Sequence, residues 1–216
     1  MVIVKYGIFG GTFDPIHMGH LRSAEEMVQE LALTKVFLVP AATPPHKDRI
    51  SVSEFRHRYN MAKMAVGRST TLEVLDLEAK RQGPSYSVDT LRELNSSLGP
   101  ENDLHFILGL EAFFEIHTWK EYHRLFELCH LVLVDRKGYY FDQVSPYLEK
   151  LRIKIRPTED PARFVFTSGK NLIHKKVTQM DISSTQIRAL IKKKKSIRFL
   201  VPDQVMGYIL QNGLYE

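Results

Sequence analysis

Cysteine is nearly absent: Cys129 is the one thiol in 216 residues. That excludes an internal disulfide framework and suits a reducing compartment. Long apolar runs are missing too, since the longest, at 36–42 and 131–134, are far too short to span a bilayer. Val2-Ile3-Val4 gives way at once to Lys5 and a glycine loop, so no secretory leader is expected. There is no internal repeat and no linker long enough to mark a second domain. The expectation is a cytoplasmic protein without a membrane partner, built as a single domain over 1–216 whose C-terminal part, about 182–216, is helical.

Hydrophobic residues make up 44% of the chain, enough for one sizeable core. Thirty basic residues against 25 acidic ones leave a net charge of +5, which attracts phosphate-bearing partners. Part of the excess is concentrated at Lys192 to Lys195 and Arg198, a run that reads as a solvated helix end or a basic patch. No RNA- or DNA-binding motif accompanies it, so a nucleic-acid partner is not expected.

Short apolar runs alternate with helical patterns along most of the chain. Residues 2–9, 35–40, 71–77, 104–109 and 130–135 read as strands. Helices are expected over 18–32 (apolar face Leu21, Ala24, Val28, Leu31), 53–66 with Ser53 as its cap, 87–97 and 120–128. Beyond 142 the pattern gives a helix, strands near 163–167 and 175–179, and helices at about 184–194 and 202–212. Such alternation predicts an α/β fold, a doubly wound (Rossmann-like) parallel sheet with C-terminal helices, with ligands at the carboxyl ends of the strands.

The densest chemistry lies at residues 7–20, GIFGGTFDPIHMGH. Gly10-Gly11-Thr12 between strand and helix allows positive φ and close approach to a ligand, and the helix start that follows offers free amides to phosphate. It is neither common nucleotide loop. A P-loop needs Lys followed by Ser or Thr, and the G-x-G-x-x-G fingerprint needs a third glycine correctly spaced. His17 and His20 share one helical face. They could be surface histidines, half of a metal site lacking further ligands at a telling spacing, or imidazoles that donate hydrogen bonds to phosphoryl oxygens. Near the other end, Ile182-Ser183-Ser184-Thr185-Gln186-Ile187-Arg188 places hydroxyls and amides at a helix start with an arginine one turn on, a second anion site.

Together these two stretches resemble the signature of the nucleotidyltransferase superfamily with the H-x-G-H motif. Within it the chain is similar, nearly end to end, to the bacterial nicotinate-nucleotide adenylyltransferases. Pro44-Pro45-His46-Lys47 resembles their loop after the second strand, and Gly83-Pro84-Ser85-Tyr86-Ser87-Val88-Asp89-Thr90 their substrate loop. Gly109-Leu110-Glu111 with Trp119-Lys120 resembles their G-x-D…W segment, and Val201-Pro202 through Gly213-Leu214-Tyr215 their C-terminal helix. The resemblance implies ATP and nicotinate mononucleotide as substrates, deamido-NAD and pyrophosphate as products, and Mg²⁺ carried by the ATP phosphates rather than by protein ligands.

It also implies site roles. His17, His20 and Arg188 would be catalytic. Gly10, Gly11, Thr12, Phe13, Gly109, Glu111, Ile182, Ser183 and Ser184 would join His20 and Arg188 around ATP. Lys47, Tyr86, Ser87, Trp119, Lys120 and Arg136 would bind the mononucleotide, with the Trp119 indole stacked on the nicotinate ring. Two positions depart from the pattern: Glu111 stands where Asp is usual, and Ser87 where Thr is common. Sibling transferases, such as phosphopantetheine adenylyltransferase, share the end motifs but are generally shorter and lack the P-P-H-K and S-Y-S-V-D-T loops.

Overall fold

Val4–Gly11 forms the first strand, β1, and Met18–Glu30 the first helix, α1. These and all later elements come from a computed structural model, which describes residues 3–45, 52–99 and 101–216. His46 and Lys47 lie outside the described residues. The chain continues through β2 (Lys35–Pro40), α2 (Phe55–Val66), β3 (Leu72–Val74), α3 (Ser87–Leu98), β4 (Asn102–Gly109), α4 (Leu110–Phe113), α5 (Tyr122–Leu128) and β5 (His130–Val134). It ends with α6 (Val144–Lys150), β6 (Ile155–Pro157), β7 (Arg163–Phe166), β8 (Asn171–Lys175), α7 (Ser184–Lys192) and α8 (Asp203–Gln211).

Strand order is β3-β2-β1-β4-β5-β8-β7-β6. β1 with β4, β4 with β5, β5 with β8 and β2 with β3 are parallel, while β6, β7 and β8 form an antiparallel edge. The order reverses between β1 and β4, the switch point of a doubly wound sheet. The mixed α/β reading therefore holds. Among the described residues no helix is long and apolar enough to cross a membrane.

The chain folds as two compact units, one of Met1–Gly10 with Tyr86–Val177, the other of Gly11–Ser85 with Thr178–Glu216. In the first unit β5 is buried at all five positions and β4 at its last six. Strands covered on both faces have no room for alternation, so LHFILG and HLVLV read as unbroken apolar runs. In the second unit α1 buries Ser23, Ala24, Met27 and Val28. The expected face was set slightly wrong: Leu21 and Leu31 are only half-buried, and Met27 takes the central place.

Three other expectations are corrected by the structure, and two short elements were not anticipated. The strand placed at 175–179 is β8 at Asn171–Lys175, because Leu172 and Ile173, 0% and 7% exposed, are the pair β5 can bury. β6 and α4, of three and four residues, are too short to carry a period. The strand expected over 71–77 stops at Val74 and passes into a 3₁₀ turn at Leu77–Lys80. Ser53 does not cap α2: Glu54 holds that position without a side-chain bond, and the Ser53 amide donates instead to Asp14 Oδ2 at 3.3 Å.

The first unit also contains a buried histidine pair. His105 and His130 are aligned across β4 and β5, their rings stacked at 4.7 Å. Burial, and then the neighbouring His130, push His105 down to about 4. His130 is lowered by burial and then by Lys170. Its Nδ1 accepts from the Asn171 amide at 3.0 Å, which suits a neutral ring. Both rings resist protonation in the fold, His105 down to about 4, whereas the unfolded chain takes up protons below about pH 6.5. Stability should therefore be full above that pH and fall as pH drops toward 4, with His105 accounting for a loss on the order of 3 kcal/mol. Denaturant titrations at stepped pH would measure the slope, and His105→Phe should flatten it. An unchanged slope in that variant would remove His105 as the cause.

Candidate active site

The second unit holds both histidines and the glycine loop from Gly11 onward, while Gly10 ends a segment of the first. β1 ends at Gly11, and the chain then turns through Phe13 at φ 50°, a left-handed conformation uncommon for a bulky residue. The Phe13 ring is 2% exposed and meets the His20 ring edge-on at 5.0 Å. A Cβ on Gly11 would stand 3.0 Å from that ring, and one on Gly19 would stand 3.1 Å from His17 Nδ1. Each glycine thus marks a place where an aromatic ring lies directly over the backbone.

His17 caps α1, and its bonding with His20 is reciprocal. His17 Nδ1 accepts from the His20 amide and His20 Nδ1 accepts from the His17 amide, each at 3.3 Å. The rings stack at 3.6 Å. An imidazole nitrogen that accepts from N–H carries no proton, so in both neutral rings the proton is on Nε2. The backbone thereby fixes two Nε2–H donors side by side at a helix start. Among the described residues no group of three or more His, Cys, Asp or Glu could hold a metal ion.

The second helix start singled out in the sequence, that of α7, lies in the same unit. Ser183 is its cap, with Oγ accepting from the Gln186 amide at 3.1 Å, and the Ser184 hydroxyl donates to Pro15 O at 2.9 Å. Both hydroxyls are thus committed within the protein. The first-turn amides of α7, Ser184 and Thr185, have no partner within their own helix, and its positive dipole end lies there. Arg188, one turn on, donates from Nη1 to Asp14 O at 2.7 Å and lies 4.0 Å from Asp14 Oδ2. Ile182 is half-buried just before the cap.

The remaining described candidates lie in the first unit, at the carboxyl ends of β4 and β5 and near the start of α3. Gly109 caps α4, and Glu111 folds back so closely that a Cβ on Gly109 would collide with its carboxylate. Glu111 Oε1 accepts from Arg136 Nε at 3.0 Å, while Oε2 is buried without a hydrogen-bond partner. Trp119 is half-buried, its ring edge-on to Phe106 at 6.2 Å. Lys120 pairs with Asp89 at 2.9 Å and lies 4.8 Å from the centre of the Tyr86 ring. Tyr86 and Ser87, both half-buried, are the cap and first residue of α3.

Comparison with known proteins adds an independent line. A family model described as cytidylyltransferase-like matches residues 8–190. A protein of Desulfatibacillum aliphaticivorans, named "Probable nicotinate-nucleotide adenylyltransferase", is 43% identical over 218 residues, covering 98% of this chain and 100% of that protein. One of the same name from Desulfitobacterium hafniense is 43% identical over 212 residues, covering 98% and 96%. The chain belongs to the nicotinate-nucleotide adenylyltransferase family.

The fold agrees with this family. The solved Plasmodium falciparum nicotinic acid mononucleotide adenylyltransferase, complexed with NaAD, superposes with a TM-score of 0.77 at 21% identity, covering 98% of this chain and 97% of that one. Two residues stand out to which the sequence reading gave no role. Arg58 is 1% exposed on the buried face of α2 beside Met61 and Ala62. A charge on an otherwise apolar helical stripe was the signal that could have revealed it. Tyr215 hydrogen-bonds to Asp14 from the end of the C-terminal stretch, a partnership no local pattern announces.

Proposed function

We propose that the protein transfers the adenylyl group of ATP to nicotinate mononucleotide, giving deamido-NAD and pyrophosphate. A 5′-phosphate oxygen of the mononucleotide attacks the α-phosphorus of ATP, and the bond from that phosphorus to the β-bridging oxygen breaks as pyrophosphate leaves. The observation that carries this reading is the reciprocal capping of His17 and His20, which aims two fixed N–H donors from a helix start. Phosphoryl transfer requires positioning and charge stabilisation more than covalent help, so such donors suit it.

In this reading His20 and His17 stabilise charge on the α-phosphate oxygens. Arg188 and the amides at the start of α7 hold the departing β- and γ-phosphates, while Gly10, Gly11, Thr12 and Phe13 shape the backbone against ATP. Gly109, Glu111 and Ile182 take the adenosine, with Arg136 held beside Glu111. Tyr86, Ser87, Trp119, Lys120 and Arg136 receive the mononucleotide, together with Lys47. Mg²⁺ carried on the nucleotide's phosphates, rather than on protein ligands, would neutralise part of their charge. The carboxylate nearest the loop, Asp14, is already occupied by Tyr215 and the Ser53 amide, which fits a cation carried by phosphate oxygens. We further propose that both units serve one nucleotidyltransferase domain acting in the cytoplasm.

Acceptor choice gives the test. A pocket of hydrogen-bond donors favours the nicotinate carboxylate, which accepts on both oxygens. The amide would turn an NH₂ toward those donors, at about 1–3 kcal/mol for each group left unpaired, and would forfeit charge assistance. kcat/KM for nicotinate mononucleotide should exceed that for nicotinamide mononucleotide by at least about 10²-fold. Ser87→Ala should narrow the gap by weakening the acid substrate. Pyrophosphate release with a panel of acceptors measures this directly. Equal efficiencies would reject the carboxylate pocket, and turnover with phosphopantetheine alone would move the protein to a sibling activity.

A further inference from the structure

Asp14 follows the glycine loop and is 2% exposed, yet its carboxylate is well supplied with partners. Oδ1 accepts from the Tyr215 hydroxyl at 2.7 Å and Oδ2 from the Ser53 amide at 3.3 Å. On its other side are the two Arg188 contacts, a bond to the Asp14 carbonyl at 2.7 Å and a 4.0 Å approach to Oδ2. Arg188 Nη2 also reaches Thr185 Oγ1 at 3.3 Å, so its guanidinium has only a limited arc of orientations. Burial, and then the negative charge of Asp14, raise the Tyr215 phenol well above its ordinary range, so it remains a donor. A buried carboxylate with a hydroxyl on one oxygen and an amide on the other is held to a narrow range of orientations toward the arginine.

We propose that Tyr215 is a positioning residue for ATP binding: through Asp14 it sets where the Arg188 guanidinium points. Tyr215 touches no phosphate itself. Its hydroxyl holds the Asp14 carboxylate, the carboxylate's charge acts on Arg188 across 4.0 Å beside the bond from Nη1 to the Asp14 main-chain carbonyl, and Arg188 meets the β- and γ-phosphates. This rests on the adenylyl-transfer reading above. It predicts an effect confined to one substrate, because the chain of contacts ends at the polyphosphate and not at the acceptor.

The test is Tyr215→Phe, which removes one oxygen and leaves the ring to pack. Calorimetry with a non-hydrolysable ATP analogue should show a Kd raised about tenfold, since small misplacements of a charged clamp are costly. KM for ATP should rise in parallel while KM for nicotinate mononucleotide stays within about twofold. A general loosening would raise both or neither, and that result would overturn the proposal.

A double-mutant cycle supplies the readout that a structural role would not move. Combined with Arg188→Lys, Tyr215→Phe should weaken analogue binding little further, because the two act in series. Full multiplicative losses would also overturn it. If Tyr215→Phe fails to fold, Asp14→Asn enters the same cycle with the same expectation. Because analogue binding is read without turnover, wild-type protein that binds the analogue but forms no dinucleotide would reject the functional reading while still testing the positioning.

Discussion

Replacing His20 with alanine is expected to lower kcat by about 10²–10³-fold while the protein remains folded. The magnitude follows from the usual cost, ~3–4 kcal/mol, of removing one preorganised donor aimed at developing charge. His20 qualifies because its Nδ1 is taken up by the His17 amide, its ring is stacked on His17 at 3.6 Å, and Phe13 closes its edge at 5.0 Å. Three contacts leave the Nε2–H with little freedom, so it is in place before charge develops. The substitution also removes half of the capping pair, worth roughly 1 kcal/mol of stability. Thermal melting alongside steady-state rates separates the two effects. Near-normal turnover by a folded His20→Ala protein would take His20 out of the catalytic set.

Arg58→Met should destabilise the protein by about 4 kcal/mol. The guanidinium is 1% exposed and donates to four carbonyls: Nη1 to Thr12 O at 2.8 Å and Ala41 O at 2.7 Å, Nη2 to Ala42 O at 3.2 Å, Nε to Ser53 O at 2.8 Å. Burial lowers its basicity and the nearby Asp14 works the other way. Methionine matches much of the side chain's volume but leaves those carbonyls without a donor, each costing about 1–3 kcal/mol unless water reaches it. Arg58→Lys keeps the charge but cannot bridge all four positions, and so should recover only part of the loss. Denaturant unfolding measures both variants. A Met variant within about 1 kcal/mol of wild type would mean that these carbonyls find other partners.

The elements legible in the sequence were those whose partners make them uniform. β4 and β5 read as continuous apolar runs because both faces are covered, and H-x-G-H and I-S-S-T-x-I-R are legible because each is a local device at a helix start. What escaped depends on distant partners. β8 was misplaced because its boundaries come from pairing with β5, some 40 residues earlier by the register of Leu131 with Leu172. Ser53 looked like a cap, but its amide and carbonyl serve Asp14 and Arg58 instead. The serines of α7 seemed to offer hydroxyls to phosphate, yet one caps its own helix and the other bonds to Pro15. Roles fixed by neighbours remote in the chain leave no period and no local composition to read.

The four bonds of Arg58 also bear on how the second unit breathes. Thr12 lies in the connection after β1, while Ala41–Ala42 and Ser53 stand at the two ends of the connection from β2 to α2, and a loop with few contacts ordinarily frays on its own. Here neither connection can open at these residues without disturbing a buried cation that the carbonyls of the other also hold. Their amide exchange is therefore coupled to that of α2, the helix that carries Arg58, and the loops share one opening free energy. Through Thr12 the glycine loop is tied to a helix more than 40 residues further along the chain, so its opening is expected to follow that of α2.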